Sequence, residues 1–170
     1  MKLIIIRGPG GASKSTVSKI IAEKLREKNK VAVINADLFY WDISGEETNR
    51  DIIYEAIRRL EDLYLNNNYN VIIEGIMSSK KDNELRIERF IEFGKKYNID
   101  IKLFFLNIPK EESEKRVRKK AKKDGWEFKK EDIDNWYDKI QNSRHKDEIQ
   151  INAQKLEPHK IAELILDKFK

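Results

Sequence analysis

The run Gly8-Pro9-Gly10-Gly11-Ala12-Ser13-Lys14-Ser15-Thr16 constrains this chain more than any other stretch. It follows the apolar segment Leu3–Ile6 and precedes Val17, Ile20, Ile21 and Leu25, which are spaced as one face of a helix. Glycines let a backbone curl with successive N–H groups pointing inward, and a helix starting there adds the positive end of its dipole. A turn of this kind, between a buried strand and a helix, is built for an anion. The plainer alternative is an ordinary glycine-rich strand-to-helix turn.

The context is the one a phosphate-binding loop requires. Gly8, Gly10, Gly11, Ala12, Ser13, Lys14, Ser15 and Thr16 would line the phosphates of a nucleotide. Lys14 would reach the β- and γ-phosphates, and the Ser15 hydroxyl would bind Mg²⁺. The usual pattern is G-x-x-x-x-G-K-[ST], and Ser13 replaces its second glycine. Serine is tolerable there if the loop is already turning into helix and needs no positive φ.

Four nearly continuous apolar runs, Leu3–Ile6, Val31–Ile34, Val71–Ile73 and Ile101–Leu106, read as strands of a parallel sheet covered on both faces. Glu148–Ile151 is a weaker fifth. Helical stripes lie between them: Ile52, Ile53, Ala56, Ile57, Leu60, Leu63 and Tyr64; then Phe90, Ile91, Gly94 and Tyr97; then Ile161, Ala162, Leu164, Ile165 and Phe169. Alternation of this kind predicts an α/β domain with helices on both faces of the sheet. Segment 110–142 breaks the rhythm. It reads as two highly charged helices, about Lys110–Lys123 and Lys130–Asn142, joined at Asp124-Gly125-Trp126, and resembles a mobile lid more than core. The whole, 1–170, is expected to be a single domain carrying that lid.

Composition narrows the chemistry. There is no cysteine, which excludes a disulfide scaffold, thiolate metal sites and a cysteine nucleophile. The histidines, His145 and His159, lie apart, which argues against a histidine-held metal. No apolar run approaches the roughly 20 residues of a membrane span, and the opening MKLIII is too short for a signal peptide. A soluble cytoplasmic protein is expected. The formal charge is +5, but segment 115–130 holds nine Lys/Arg against Asp124 and Glu127, so the rest of the chain is slightly acidic. One local basic patch fits a phosphate-bearing ligand, either a nucleotide or a nucleic acid backbone; a solvated helix face is the alternative.

Further candidates follow the strands. Asp37 lies just past Val31–Ile34, where open parallel sheets place ligands. It would accept a proton from an attacking hydroxyl or hold Mg²⁺ through water; alternatively it is a helix N-cap or turn aspartate. Asp42 is a weaker choice for the same role. Phe39, Tyr40 and Trp41 follow in what reads as a loop, and either wall an acceptor pocket or form a satellite hydrophobic cluster. Glu74 ends Val71–Ile73 and would bind metal through water or orient the acceptor, unless it is simply buried against a lysine. Arg116 and Lys120, four apart, share one face of the first lid helix, and Arg118 and Lys122 a neighbouring one. Arginines there would clamp phosphates or stack on adenine. Arg144 and Lys146 could add charge, while His145 reads as a surface residue.

These residues together resemble the small P-loop kinases of the nucleoside monophosphate kinase-like group. The similarity takes in Gly8–Thr16, Asp37, Val71-Ile72-Ile73-Glu74-Gly75-Ile76, Phe105-Leu106-Asn107-Ile108-Pro109 with Glu111-Glu112, and the lid. The run Glu131-Asp132-Ile133-Asp134-Asn135-Trp136-Tyr137 is similar to the segment after the lid in zeta-toxin and chloramphenicol phosphotransferase-type kinases. Polynucleotide 5′-hydroxyl kinases belong to the same wider group. The resemblance implies a three-layer α/β/α fold with five parallel strands in the order 2-3-1-4-5. It also implies ATP, Mg²⁺ and transfer of the γ-phosphoryl group to a hydroxyl. Arg116 and Lys120 match the two spaced lid positions, and Asn152 falls in Ile151-Asn152-Ala153, where the family wraps adenine with backbone.

The leading expectation is an ATP-dependent kinase acting on a hydroxyl of a small molecule, a nucleoside or a nucleotide. A 5′-hydroxyl polynucleotide kinase, using the basic lid as a nucleic acid track, is the alternative. A non-kinase ATP-binding switch and a plain nucleic-acid-binding module are the other classes, and neither needs Asp37 as a base.

Overall fold

Short runs of isoleucine, valine, leucine and phenylalanine pair side by side because each is apolar on both faces and must be covered twice. The computed structural model describes residues 1–44, 49–81, 84–125 and 127–169. Its strands are β1 (Lys2–Arg7), β2 (Val31–Asn35), β3 (Asn70–Gly75), β4 (Lys80–Lys81), β5 (Glu84–Leu85), β6 (Asp100–Asn107) and β7 (Glu148–Asn152). Its α-helices are α1 (Lys14–Arg26), α2 (Ala36–Leu38), α3 (Arg50–Asn66), α4 (Glu88–Lys95), α5 (Lys110–Asp124), α6 (Lys130–Gln141) and α7 (Pro158–Asp167). One turn of π-helix, Phe39–Ile43, continues α2.

Five strands form one parallel sheet in the order β2-β3-β1-β6-β7, and β4 and β5 make a small antiparallel ladder of their own. Successive β1 side chains take opposite faces. Ile4 and Ile6 pack with Val17, Ile21, Ile161 and Ile165 of α1 and α7. Leu3 and Ile5 pack with Ile53, Ile57, Phe90 and Ile91 of α3 and α4. Each such side chain contributes about 1.5–3 kcal/mol on burial. The result is the three-layer α/β/α fold with the expected strand order.

The helical stripes are narrower than expected. Ile52, Leu63 and Leu164 are exposed, because each lies beyond the arc that touches the sheet. The turn at 124–126 is described only through Gly125, which is left-handed, and Trp126 lies outside the described residues.

Two buried ionisable side chains stand out in the core. Arg7 ends β1, is fully buried, and pairs with Glu148 at the start of β7. Burial lowers its pKa while Glu148 raises it again. Glu61, on the inner face of α3, is also fully buried, and neither of its carboxylate oxygens has a hydrogen-bond partner. Burial pushes its pKa up to about 9, opposed by the nearby Arg58. The folded chain therefore holds a proton on Glu61 that the unfolded chain releases near its ordinary value. The contribution of Glu61 to stability is greatest below that ordinary value and declines as pH rises toward 9. Glu61→Met is expected to stabilise the fold at neutral pH by about 1–3 kcal/mol, and to flatten this decline, both read by denaturant unfolding across pH. A difference between Glu61→Met and wild type that does not grow as pH rises toward 9 would refute the assignment.

Candidate active site

The loop after β1 leads into the N-terminus of α1. No side chain caps α1 and no acidic residue lies in its first turn, so its first N–H groups face no competing carboxylate from the helix itself. The Lys14 ammonium is largely buried and donates to the Pro9 carbonyl at 3.0 Å, which holds it back over the loop. Ser13 is the N-cap and has φ 65°, ψ 19°, a left-handed conformation. The sequence expectation that this position needs no positive φ is therefore corrected: the loop requires it, and serine bears roughly 1–2 kcal/mol of strain that glycine would not.

Three neighbouring strand ends converge on this loop. In β3, Glu74 lies in register with Ile6 of β1 on one side and Asn35 of β2 on the other. Asn35 caps α2, its side chain accepting from the Asp37 N–H at 2.8 Å and the Leu38 N–H at 3.3 Å. Asp37 is thus in the first turn rather than at the cap, and its Oδ1 accepts from the Ile76 N–H at 3.2 Å. This approach needs Gly75, where a Cβ would lie 3.1 Å from Asp37 Oδ1 and 2.9 Å from the Ala36 Cβ. Glu74 is buried, and its Oε2 has no partner. Burial raises its pKa, Lys14 lowers it, Asp37 raises it, and the Ser15 hydroxyl and Lys120 lower it. Lys14, Ser15, Asp37, Glu74 and Lys120 therefore share one electrostatic neighbourhood.

Helix α5 packs directly on the loop. The Ser113 hydroxyl donates to the Gly10 carbonyl at 2.8 Å. Cβ atoms on Gly10 and Gly11 would lie 2.6 Å from Val117 Cγ2 and Arg116 Cβ, respectively, and Gly11 is left-handed at φ 75°. Arg116 is held by Glu112 at 2.6 Å and donates to the carbonyls of Gly11 at 3.2 Å and Gln154 at 3.5 Å. It thereby joins the loop to the segment after β7. Asn152, at the end of β7, is exposed and accepts from the Gln154 N–H at 3.1 Å. Lys120 is exposed one turn beyond Arg116. Arg118 instead pairs with Glu114 at 2.9 Å, outside this constellation.

Helix α6 is tied back to the exit of β6, through Tyr137 to the Ile108 carbonyl at 2.9 Å and Gln141 to Asn107 at 3.0 Å. The presumed loop Phe39–Trp41 is helical: Phe39 and Tyr40 pack against the core. Trp41 projects outward to meet Phe128 and Trp136 at centroid distances of 6.4 and 6.1 Å. Two basic-segment readings change. His145 is buried, not at the surface, and its Nε2 lies 2.6 Å from Glu88. Arg144 is spent internally on Glu148 at 2.8 Å and on the Phe105 ring at 3.5 Å.

Arg7 and Ser113 escape sequence reasoning as contributors here. A charged residue ending an otherwise apolar central strand was the available signal for Arg7. Nothing local distinguishes Ser113, whose partner is 103 residues away.

A family model for the AAA domain matches residues 3–142, and the chain belongs to that family. Within it, the fold is that of the small P-loop kinases of the nucleoside monophosphate kinase-like group. A chain of the Pnkp1/Rnl/Hen1 RNA repair complex is 24% identical with a TM-score of 0.65; the match covers 84% of this chain and 44% of that one. The Mycobacterium tuberculosis APS kinase CysC, solved in complex with AMPPNP and APS, is 17% identical with a TM-score of 0.65, over 99% of this chain and 96% of that one. Shikimate kinase from Aquifex aeolicus is 17% identical with a TM-score of 0.64, over 99% and 96%. No curated protein sequence matches the chain. Among the described residues no helix is long and apolar enough to cross a membrane.

Proposed function

We propose that this chain is a cytoplasmic ATP-dependent kinase that transfers the γ-phosphoryl group to a hydroxyl of a small molecule, a nucleoside or a nucleotide. The observation that carries this reading is the convergence of the loop, Asp37 and Glu74 at the ends of three adjacent strands, with Arg116 bonded to the same loop. The backbone from Gly8 to Thr16 cradles the phosphates, Lys14 neutralises the β- and γ-phosphates, and Asn152 lies in the segment beside the adenine. Asp37 takes the proton of the acceptor hydroxyl as that oxygen bonds to the γ-phosphorus. The bond to the β,γ-bridging oxygen breaks, and ADP leaves. Arg116 and Lys120 stabilise the charge on the transferring group.

Mg²⁺ fits the donor set. Ser15, Asp37 and Glu74 offer only oxygen atoms, and one buried Glu74 oxygen lacks any partner. Among the described residues no three acidic or histidine side chains form a ligand cage. The ion would therefore complete its shell from phosphate and water, and would supply charge neutralisation at the phosphates.

Segment 115–130 and the likeness to a chain of an RNA repair complex support a second reading, a 5′-hydroxyl nucleic acid end as acceptor. Incubation with γ-labelled ATP and Mg²⁺ tests both, using nucleosides, nucleotides, sugars and 5′-hydroxyl oligomers as acceptors. Label on a small molecule, with a salt response far shallower than that of a polyanion, is the expected result. Label only on oligomers, falling steeply with salt, would select the second reading. ATP binding without transfer to any acceptor would favour a switch.

A further inference from the structure

A cavity of about 420 Å³ opens between the start of α3, the segment after β3 and the outer part of α6. That is within the size range of small-molecule sites. Arg50, Lys80 and Lys139 line it, and none of the three forms an ion pair with another described residue. The one carboxylate in the lining, Asp138, is already engaged by Lys110 at 3.0 Å to both oxygens. Ser79 also lines the cavity. Its residue is 7% exposed, and its hydroxyl, beside that of Tyr40, makes no hydrogen bond of ordinary geometry. Three cations with no ion-pair partner among the described residues, and a buried hydroxyl with no neighbour to bond but the Tyr40 hydroxyl, are the complement of a compact anion.

The cavity adjoins the transfer site. Ile76, whose N–H holds Asp37, is two residues before Ser78 in its wall. Two of its walls are also pinned by one buried group. Arg7 donates to the Met77 carbonyl on one side and to the Ser143 carbonyl on the other, both at 2.9 Å. A site held this way is ordered before anything binds, which lowers the entropic cost of binding.

We propose that the acceptor is a small hydroxyl compound bearing a phosphate, sulfate or carboxylate group, and that this anion is bound by Arg50, Lys80, Lys139 and the Ser79 hydroxyl. The inference rests on the kinase reading above and names the substrate class of that site. A compact anion is favoured over a polynucleotide by what lies past Lys80. The adjoining cavity, about 440 Å³, sets Glu88 and Glu92 among Lys80, Arg144 and Lys146, and Arg144 is already held by Glu148, so it offers no unbroken cationic track for a continuing row of phosphates.

The test uses the full chain and matched pairs of acceptors: a nucleoside and its 3′-monophosphate, a polyol and its monophosphate, a hydroxy acid and its methyl ester. Transfer from γ-labelled ATP is measured with wild type and with Arg50→Ala/Lys139→Ala. In parallel, sulfate binding to the ADP-loaded chain is followed by tryptophan fluorescence. At least one anionic member should be labelled about 10-fold or more better than its neutral partner. The double variant should raise the KM for that member by about 10- to 100-fold, with the KM for ATP unchanged, and should weaken sulfate binding to the ADP-loaded chain. Equal labelling of neutral and anionic partners, or a KM and a sulfate affinity indifferent to the two substitutions, would overturn the proposal. So would preferential labelling of a 5′-hydroxyl oligonucleotide. Sulfate binding that depends on Arg50 and Lys139, with no label on any acceptor, would leave the anion site standing and overturn its role in phosphoryl transfer.

Discussion

Lys14→Ala is expected to lower kcat for phosphoryl transfer by at least about 10²–10³-fold, and to weaken ATP binding, while leaving the thermal unfolding midpoint near that of wild type. Lys14 is buried in the loop, its ammonium aligned by the Pro9 carbonyl and facing Glu74. In such a site a positive charge opposes the growing charge between the β- and γ-phosphates without first having to shed water. The stability of the variant should hold because the ammonium makes one hydrogen bond, to the Pro9 carbonyl five residues away. Single-turnover transfer, fluorescence titration with ATP and a melting curve check the three parts. Transfer within about threefold of wild type would remove Lys14 from the reaction, and unaltered nucleotide affinity would remove the loop from nucleotide binding altogether.

Asp37→Asn should lower kcat by about 10²–10⁴-fold with ATP affinity close to wild type. The substitution keeps the shape of the side chain, and the amide oxygen can still accept from the Ile76 N–H. What disappears is the carboxylate able to take the acceptor proton and to complement Mg²⁺. A switch that only binds or slowly hydrolyses ATP would scarcely respond, so the same variant separates the two classes. Asp42 provides the internal comparison. It lies in the π-helical turn beyond Asp37, and Asp42→Asn is the control for a general effect of removing negative charge.

Asp37 is also the place where local and tertiary information separate. Its position past β2 was legible because apolar runs mark strand ends and ligands collect there. Its actual constraint, a backbone N–H from beyond β3, required knowing that β2 and β3 are neighbours and that Gly75 leaves room. The loop was legible almost completely as a glycine-rich turn from strand to helix, since its residues are contiguous in the chain. Its one misjudged feature is Ser13, because the handedness of a single residue depends on how tightly the whole turn closes. His145 illustrates the opposite failure. Flanked by charged residues, it has every local mark of the surface, yet Glu88 from α4 covers it.

The sequence by itself determined the five strands of the main sheet, the long helices between them, the glycine-rich turn and the charged helical hairpin. All of these follow from hydrophobic periodicity and from residues adjacent in the chain. Only the tertiary structure decided what surrounds the loop. Ser113 and Arg116 reach Gly10 and Gly11 across more than a hundred residues. Arg7 clasps the segments after β3 and α6, and Arg50, Lys80 and Lys139 meet around one cavity. Such contacts join side chains whose neighbours in sequence point elsewhere. Nothing in a local pattern records them, because the crossover connections of a parallel sheet bring distant segments to one edge.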